Sequence, residues 1–285
     1  AAMMMIDPCR ACSLFLATLT ALTLTAQSDT TRARELRAAE IVGPYRSGVR
    51  AMGDTLGAVL MAGKKTEVIT PAALDADLSL NVARQVFAKV PGISVWENDG
   101  SGVQLGIAAR GLSPNRSWEF NLRQDGYDIA ADAFGYPEGY YTPPMEAVEH
   151  IEVVRGAASL AYGPQFGGMV NFVMKKGVAD RPLAFETRQT LGAYGLFDSY
   201  NGLGGTKGKW NYYGFLHHRS ADGWRQNSRY ATTTVHGGVR YAVTPRMRLG
   251  LEYTRSQVEQ QQPGGLTDAE FAVDPRSSSR ARNWM

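Results

Sequence analysis

Met145-Glu-Ala-Val-Glu-His-Ile-Glu-Val-Val-Arg-Gly-Ala-Ala-Ser-Leu-Ala-Tyr-Gly-Pro-Gln-Phe-Gly-Gly-Met-Val-Asn-Phe-Val-Met-Lys-Lys176 holds two apolar, β-rich runs, Ile151–Val154 and Met169–Met174. Between them lies a small-residue segment punctuated by Gly156, Gly163, Gly167 and Gly168. Glycine is favoured where the backbone turns sharply or approaches another chain closely. The stretch therefore predicts two strands joined by a tightly packed connection.

Upstream, Lys65 to Ile69 predicts a short strand. Leu78 to Val90 predicts a helix with Leu80, Ala83, Val86, Phe87 and Val90 on one face, capped by Asp77 or Ser79 and ended by Pro91-Gly92. Ile93 to Trp96 predicts a strand stopped by Asn98-Asp99-Gly100. Gln104 to Arg110 and Glu119 to Arg123 alternate as two more, with Asp125-Gly126 turning after the second. Residues from about Arg46 to Lys176 thus predict a compact α/β region, a mixed sheet with short helices, followed by a hinge-like joint from Gly177 to Arg181.

Downstream the period becomes two. In Ala231 to Val243, Val235, Val239, Tyr241 and Val243 are apolar, whereas Thr232, Thr234, His236 and Arg240 are polar. After Thr244-Pro245-Arg246, Met247, Leu249, Leu251 and Tyr253 alternate with Arg248, Gly250, Glu252 and Thr254. Five strands are predicted: Leu183–Leu191, Ser199–Gly205, Trp210–Ser220, Ala231–Val243 and Arg246–Gln257. A half-buried sheet of a soluble sandwich and barrel strands between lipid and water both fit this alternation. Strand length favours the barrel, since about 9–11 residues cross a bilayer. Connection lengths agree: Lys207-Gly208-Lys209 and Thr244-Pro245-Arg246 are short, while Ala221 to Arg229 is long and polar.

The chain has 285 residues and a net charge of +3, too small a balance to imply a nucleic-acid partner. Ser13 to Ala26 reads as the apolar region of a secretory leader, giving a signal peptide over 1–26. Cys9 and Cys12 lie before that run, so the mature chain is expected to be free of cysteine. His-Glu-x-x-His, Gly-x-Ser-x-Gly and P-loop patterns are absent from the sequence, and no enzyme, cofactor or metal site is expected. His217 and His218 fall on opposite faces of their strand and cannot share a metal.

Val90-Pro91-Gly92-Ile93 after a helix, Arg110-Gly111 after an alternating strand, Asp125-Gly126, and the Met145–Lys176 stretch occur in an order that resembles the plug domain of TonB-dependent outer-membrane receptors. The resemblance runs from about residue 36 to 285. It implies a flexible extension over 27–45, a plug over 46–177 and the first strands of a transmembrane antiparallel β-barrel over 178–285. The barrel is expected to be truncated, because five strands cannot close around a globular plug. The implied localisation is the outer membrane of a Gram-negative bacterium. The implied partners are outer-membrane lipid and, in the periplasm, TonB with ExbB and ExbD.

Ala39, Glu40, Ile41 and Val42 sit where the family carries its TonB box, an extended peptide that pairs by strand addition. Arg110 and Arg155 occupy the places of arginines that pair the plug with barrel carboxylates. Tyr162-Gly163-Pro164-Gln165 and Leu112 to Ser117 most resemble ferric dicitrate receptors. Asn115, Arg116, Ser117 and Gln165 are then the expected ligand contacts, since guanidinium, amide and hydroxyl groups suit a carboxylate-rich ferric chelate. The alternatives are haem, cobalamin or another siderophore as cargo of the same architecture, a glycan importer, and a secreted β-sandwich binding module. Fewer than twenty residues between Ala26 and the box leave no expected room for an N-terminal signalling domain.

Overall fold

The two apolar runs form neighbouring central strands of a six-stranded sheet in a computed structural model. It describes residues 48–53, 55–56, 59–60, 66–97, 100–131, 137–156, 162–163 and 165–280. The predicted leader and extension lie outside them. In chain order the first strands are β1 (Val49–Ala51), β2 (Thr55–Leu56), β3 (Val59–Leu60), β4 (Thr66–Ile69), β5 (Ile93–Trp96), β6 (Gly106–Ala109), β7 (Phe120–Gln124), β8 (Tyr127–Asp128), β9 (Val148–Arg155) and β10 (Gly168–Met174), with helix α1 (Ala83–Phe87) before β5.

The sheet order is β1-β4-β9-β10-β7-β8. It is mixed: β10 runs parallel to β7, with Gly168 opposite Phe120, and antiparallel to β9, with Phe172 opposite Ile151. Alternation decides the faces. Val170, Phe172, Met174, Ile151 and Val153 enter the main core with Val86 and Phe87 of α1 and Ile107 of β6. Val154 and Met169 form a small cluster on the other face. Asp125 (φ 46°) and Gly126 (φ 88°) make the two-residue turn between β7 and β8, the positive-φ pair that suits the twist of a hairpin.

The predicted helix over 78–90 shortens to the five residues of α1. Asn81 is left-handed (φ 54°), and its amide donates to the Gly102 carbonyl at 2.9 Å. Val82 is extended, so the turn before it cannot join the helix. Asp77 does not cap a helix either; its Oδ1 accepts from the Ser79 amide at 3.0 Å in a local turn.

The period-two region forms one open antiparallel sheet of five strands in sequence order: β11 (Ala184–Leu191), β12 (Phe197–Lys207), β13 (Trp210–Ala221), β14 (Tyr230–Thr244) and β15 (Met247–Gln260), followed by helix α2 (Asp268–Val273). The 12 residues of β13, 15 of β14 and 14 of β15 exceed a bilayer crossing. Thr232, Thr234 and His236 are buried against the α/β domain, whereas Val235, Val239 and Leu251 face outward and are exposed. A continuous outward apolar face of this size is stable in lipid rather than water.

Tyr200, Tyr213 and Phe215 of this wall belong to the same core cluster as β9 and β10. Arg219, 3% exposed, crosses the seam. It donates to the carbonyl of Ser79 at 2.9 Å and also to that of Ser101. Gln124 donates to Thr254 Oγ1 at 3.0 Å, Lys175 to the Glu186 carboxylate at 2.7 Å, and Arg240 stands 3.8 Å from Asp125. At the joint, Asn211 donates to the Gly177 carbonyl at 2.7 Å and accepts from its amide at 3.2 Å. Gly177 is required there, because a Cβ would run into the carbonyl oxygens of Gly205 and Tyr212.

Gly177→Ala is expected to open this joint to protease, while Gly237→Ala, where a Cβ would meet nothing within 4 Å, is expected to leave the digestion pattern unchanged. Limited proteolysis of the full chain reads both.

Glu146 is also buried in the seam. Burial first, and then the Asp198 carboxylate, push its carboxyl up to about 7 from the usual 4.5. Between these values the folded chain keeps a proton that the unfolded chain has lost. Its contribution is therefore unpenalised below about pH 4.5, worsens as pH rises towards 7, and is flat above. The swing is roughly 3 kcal/mol. In Glu146→Gln, amide-exchange protection of β9 is expected to lose that pH dependence and to exceed wild type at pH 8. Equal protection across pH in both proteins would count against a buried, proton-holding Glu146.

Candidate functional site

The loop between β6 and β7 reaches the end of the α/β domain that meets the long connections of the wall. Asn115 to Ser117 form a single 3-10 turn in which Arg116 (φ 51°) and Ser117 (φ 54°) are both left-handed. Such residues cost of order 1–3 kcal/mol each and persist only when their surroundings over-determine them. Ser117 provides that constraint. Its hydroxyl accepts from the Ile107 amide at 3.0 Å and donates to the Leu105 carbonyl at 2.6 Å, fully buried. The consequence is a fixed backbone that projects Asn115 and Arg116 outward.

Arg116 Nη1 donates to Glu138 at 3.0 Å and to the Tyr140 hydroxyl at 3.2 Å. The hydrogen bond to Glu138 holds the guanidinium above its ordinary range. The Glu138 carboxyl is in turn held low, first by the Tyr140 hydroxyl and then by Arg116. Glu138 and Tyr140 thus steer Arg116.

Arg116 and Asn115 form one side of a hollow of about 390 Å³, whose other side is Arg225, Gln262 and Arg280 from the wall. This falls within the roughly 300–1,000 Å³ of small-molecule sites. The wall side is ordered by its own bonds. Arg225 donates to the Gly264 carbonyl at 3.0 Å and the Ser277 carbonyl at 2.8 Å, and Arg276 Nε donates to the Trp224 carbonyl at 2.8 Å. A capping box, Thr267 with Glu270, starts α2 in the same connection. Among the described residues Glu97 is the single carboxylate lining the hollow, against three guanidinium groups, and it is bridged to Arg84 at 3.5 Å. The chemistry on offer is a shallow basic cup with amide donors, suited to an anion that carries several carboxylate oxygens.

Of the residues expected from sequence, Asn115 and Arg116 share this cup. Ser117 does not contact it: both hydrogen-bonding roles of its hydroxyl are taken by Leu105 and Ile107 in the core. Gln165 stands apart, where its Oε1 lies 3.5 Å from the Asn121 amide, in a polar cluster that includes Asp128 and Arg123. Arg155 pairs with Glu67 of β4 and donates to the Pro91 carbonyl, so its charge is used inside the α/β domain rather than against the wall. Arg110 lies over Gly156 (φ 72°), where a Cβ would strike its guanidinium. Among the described residues, Arg219 and Arg240 cross the seam. Arg225 and Arg280 were not expected at the site. The only signal for Arg225 was its place in a long polar connection. Ala39, Glu40, Ile41 and Val42 lie outside the described residues.

A sequence-family profile, TonB-dependent Receptor Plug Domain, matches residues 59–170. The chain is 26% identical over 223 residues to the ferric-pyoverdine M114 receptor PbuA of Pseudomonas sp. strain M114, covering 75% of this chain and 25% of that protein. It is 31% identical over 134 residues to the ferripyoverdine receptor of Pseudomonas aeruginosa, covering 47% of this chain and 15% of that protein. Its fold matches the ferric citrate transporter FecA in the unliganded form with a TM-score of 0.61 at 23% identity, over 75% of this chain and 34% of that one. The chain therefore spans about a quarter of the length of the first of these relatives. Residues 59–170 thus match the TonB-dependent receptor plug domain, and the mixed sheet followed by antiparallel wall strands shares the fold of the matching part of the ferric citrate transporter.

Proposed function

We propose that the protein is an outer-membrane receptor that captures a ferric chelate over the apex of the plug and passes it inward by TonB-coupled displacement of that plug. The observation that carries this reading is the basic cup shared by Asn115 and Arg116 of the plug and Arg225 and Arg280 of the wall. Occupancy of a cup built from both bodies changes the free energy of their separation, which links binding to plug movement. Ala39 to Val42 would pair with TonB, itself energised by ExbB and ExbD, by strand addition. The favoured cargo is ferric dicitrate, whose carboxylates match three guanidinium groups and three side-chain amides. A ferric siderophore of the pyoverdine kind is the second reading, favoured by the similarity to two pyoverdine receptors. No chemistry on the cargo is required of any residue.

Uptake of labelled iron supplied as citrate or as pyoverdine, by the full-length protein in a receptor-deficient Gram-negative host, tests the function. Citrate-dependent uptake that disappears without TonB is the expected result. Pyoverdine-dependent uptake would transfer the cargo to the second reading, and uptake independent of TonB would overturn the mechanism.

Arg116→Ala is expected to weaken cargo binding about 10-fold or more, the worth of a hydrogen bond to a charged group. Arg116→Lys is expected to restore only part of the loss, because an ammonium cannot reproduce the planar fork. Titration of cells with radiolabelled ferric citrate at 0 °C, where binding is separated from transport, gives both numbers.

A further inference from the structure

At one end of the wall, the tight turn between β12 and β13 sets two ammonium groups beside an aromatic trough. Lys207, Lys209, Trp210, Tyr212, Val239 and Tyr241 line an open hollow of about 590 Å³ on the outward face. Trp210 and Tyr241 are register partners across β13 and β14, and their rings lie 4.6 Å apart at 45°. Trp210 is 51% exposed. Lys209 Nζ donates to the Val243 carbonyl at 3.4 Å, which holds that ammonium over the end of the trough. Lys207 ends β12 with the outward parity of Leu203. No carboxylate lines the hollow among the described residues. Neither capture of cargo nor docking of the plug uses these side chains.

The depth of the hollow follows from the connections. Two residues separate β12 from β13 and two separate β14 from β15, while eight separate β13 from β14 at the opposite end. Short turns mark the periplasmic end of an outer-membrane barrel, and aromatic girdles mark its interfaces. A lipid of the periplasmic leaflet presents there a phosphodiester above its acyl chains. The rings and Val239 suit the chains and the ester region, and two ammonium groups complement the phosphate charge. A zwitterionic headgroup would bring its own ammonium against the lysines. We propose that Lys207, Lys209 and the Trp210–Tyr241 trough form a binding site for an anionic glycerophospholipid of the periplasmic leaflet. The proposal rests on the outer-membrane reading of the wall.

Quenching of Trp210 by brominated lipids tests it. The full-length protein is reconstituted in zwitterionic vesicles doped with brominated phosphatidylglycerol or brominated phosphatidylethanolamine, and the signal of Trp210→Phe is subtracted to remove every other tryptophan. The expected result is a local phosphatidylglycerol excess of about 25-fold, roughly 5-fold for each lysine. Lys207→Gln with Lys209→Gln should bring it to the bulk ratio. Arg246→Gln, a basic residue of the neighbouring turn that does not line the trough, should leave it intact. Equal quenching by both lipids, or an equal loss in Arg246→Gln, would overturn the site while leaving the membrane reading in place. Quenching by neither lipid would overturn both.

Discussion

Arg219 carries a full charge into the seam between plug and wall, and much of the structure is arranged to make that tolerable. A buried cation needs partners, since leaving one unpaired costs several kcal/mol. Its partners are two backbone carbonyls, those of Ser79 and Ser101, on segments that flank α1 and lead into β6. Those segments must then be irregular, because a helix or a ladder would have consumed the carbonyls. The left-handed Asn81 and the truncated α1 are consistent with that requirement. On the wall side the neighbouring inward positions are polar as well: His217 bonds Asp198 at 2.8 Å, and His236 bonds Thr254 at 2.8 Å. The seam is therefore a hydrogen-bonded surface beside an apolar one, where Tyr200, Tyr213 and Phe215 join the plug core.

This division explains what could be read from residues alone. The alternation of Val235, Val239 and Tyr241 with Thr232, Thr234 and His236 reports which face points outward, and the strands follow within one to three residues at most ends. Asp125-Gly126 is legible for a local reason, two positive φ angles in a two-residue turn. The helix over 78–90 was misread because its periodicity is real, with Ala83, Val86, Phe87 and Val90 all in the core, but Asn81 is pulled aside by Gly102, 21 residues away. Ser117 looked like a ligand contact because a hydroxyl beside Asn115 and Arg116 suits one. Only the fold reveals that Leu105 and Ile107 occupy it. Arg110 and Arg155 were recognised as special, whereas the residue that holds Arg155, Glu67, comes from a strand 88 positions away.

The cup shows the same economy. Its geometry depends on a strained turn, and the strain is held by a buried hydroxyl that does not line the cup. Arg116 is aimed by Glu138 and Tyr140 from the plug, while Arg225 is committed to the carbonyls of its own connection. Each side is rigid by itself, so a ligand that joins them acts on their separation rather than on either shape.

The edge position of β1 has a mechanical meaning. Its first residue, Val49, is paired with the last residue of β4, Ile69, so chain entry and the start of the anchored body lie at the same end of that ladder. A load drawn through the residues before Val49 and directed away from β4 would act across this pair of strands rather than along them. The hydrogen bonds then carry the load in succession, as teeth of a zipper do, and not in parallel as in a sheared lap joint. Beyond β1 the ladder of β4 on β9 repeats the antiparallel sense, and β10, the strand that holds the centre of the sheet, is the third neighbour inward. The plug thus offers its least resistant mode at the end facing its N-terminal segment.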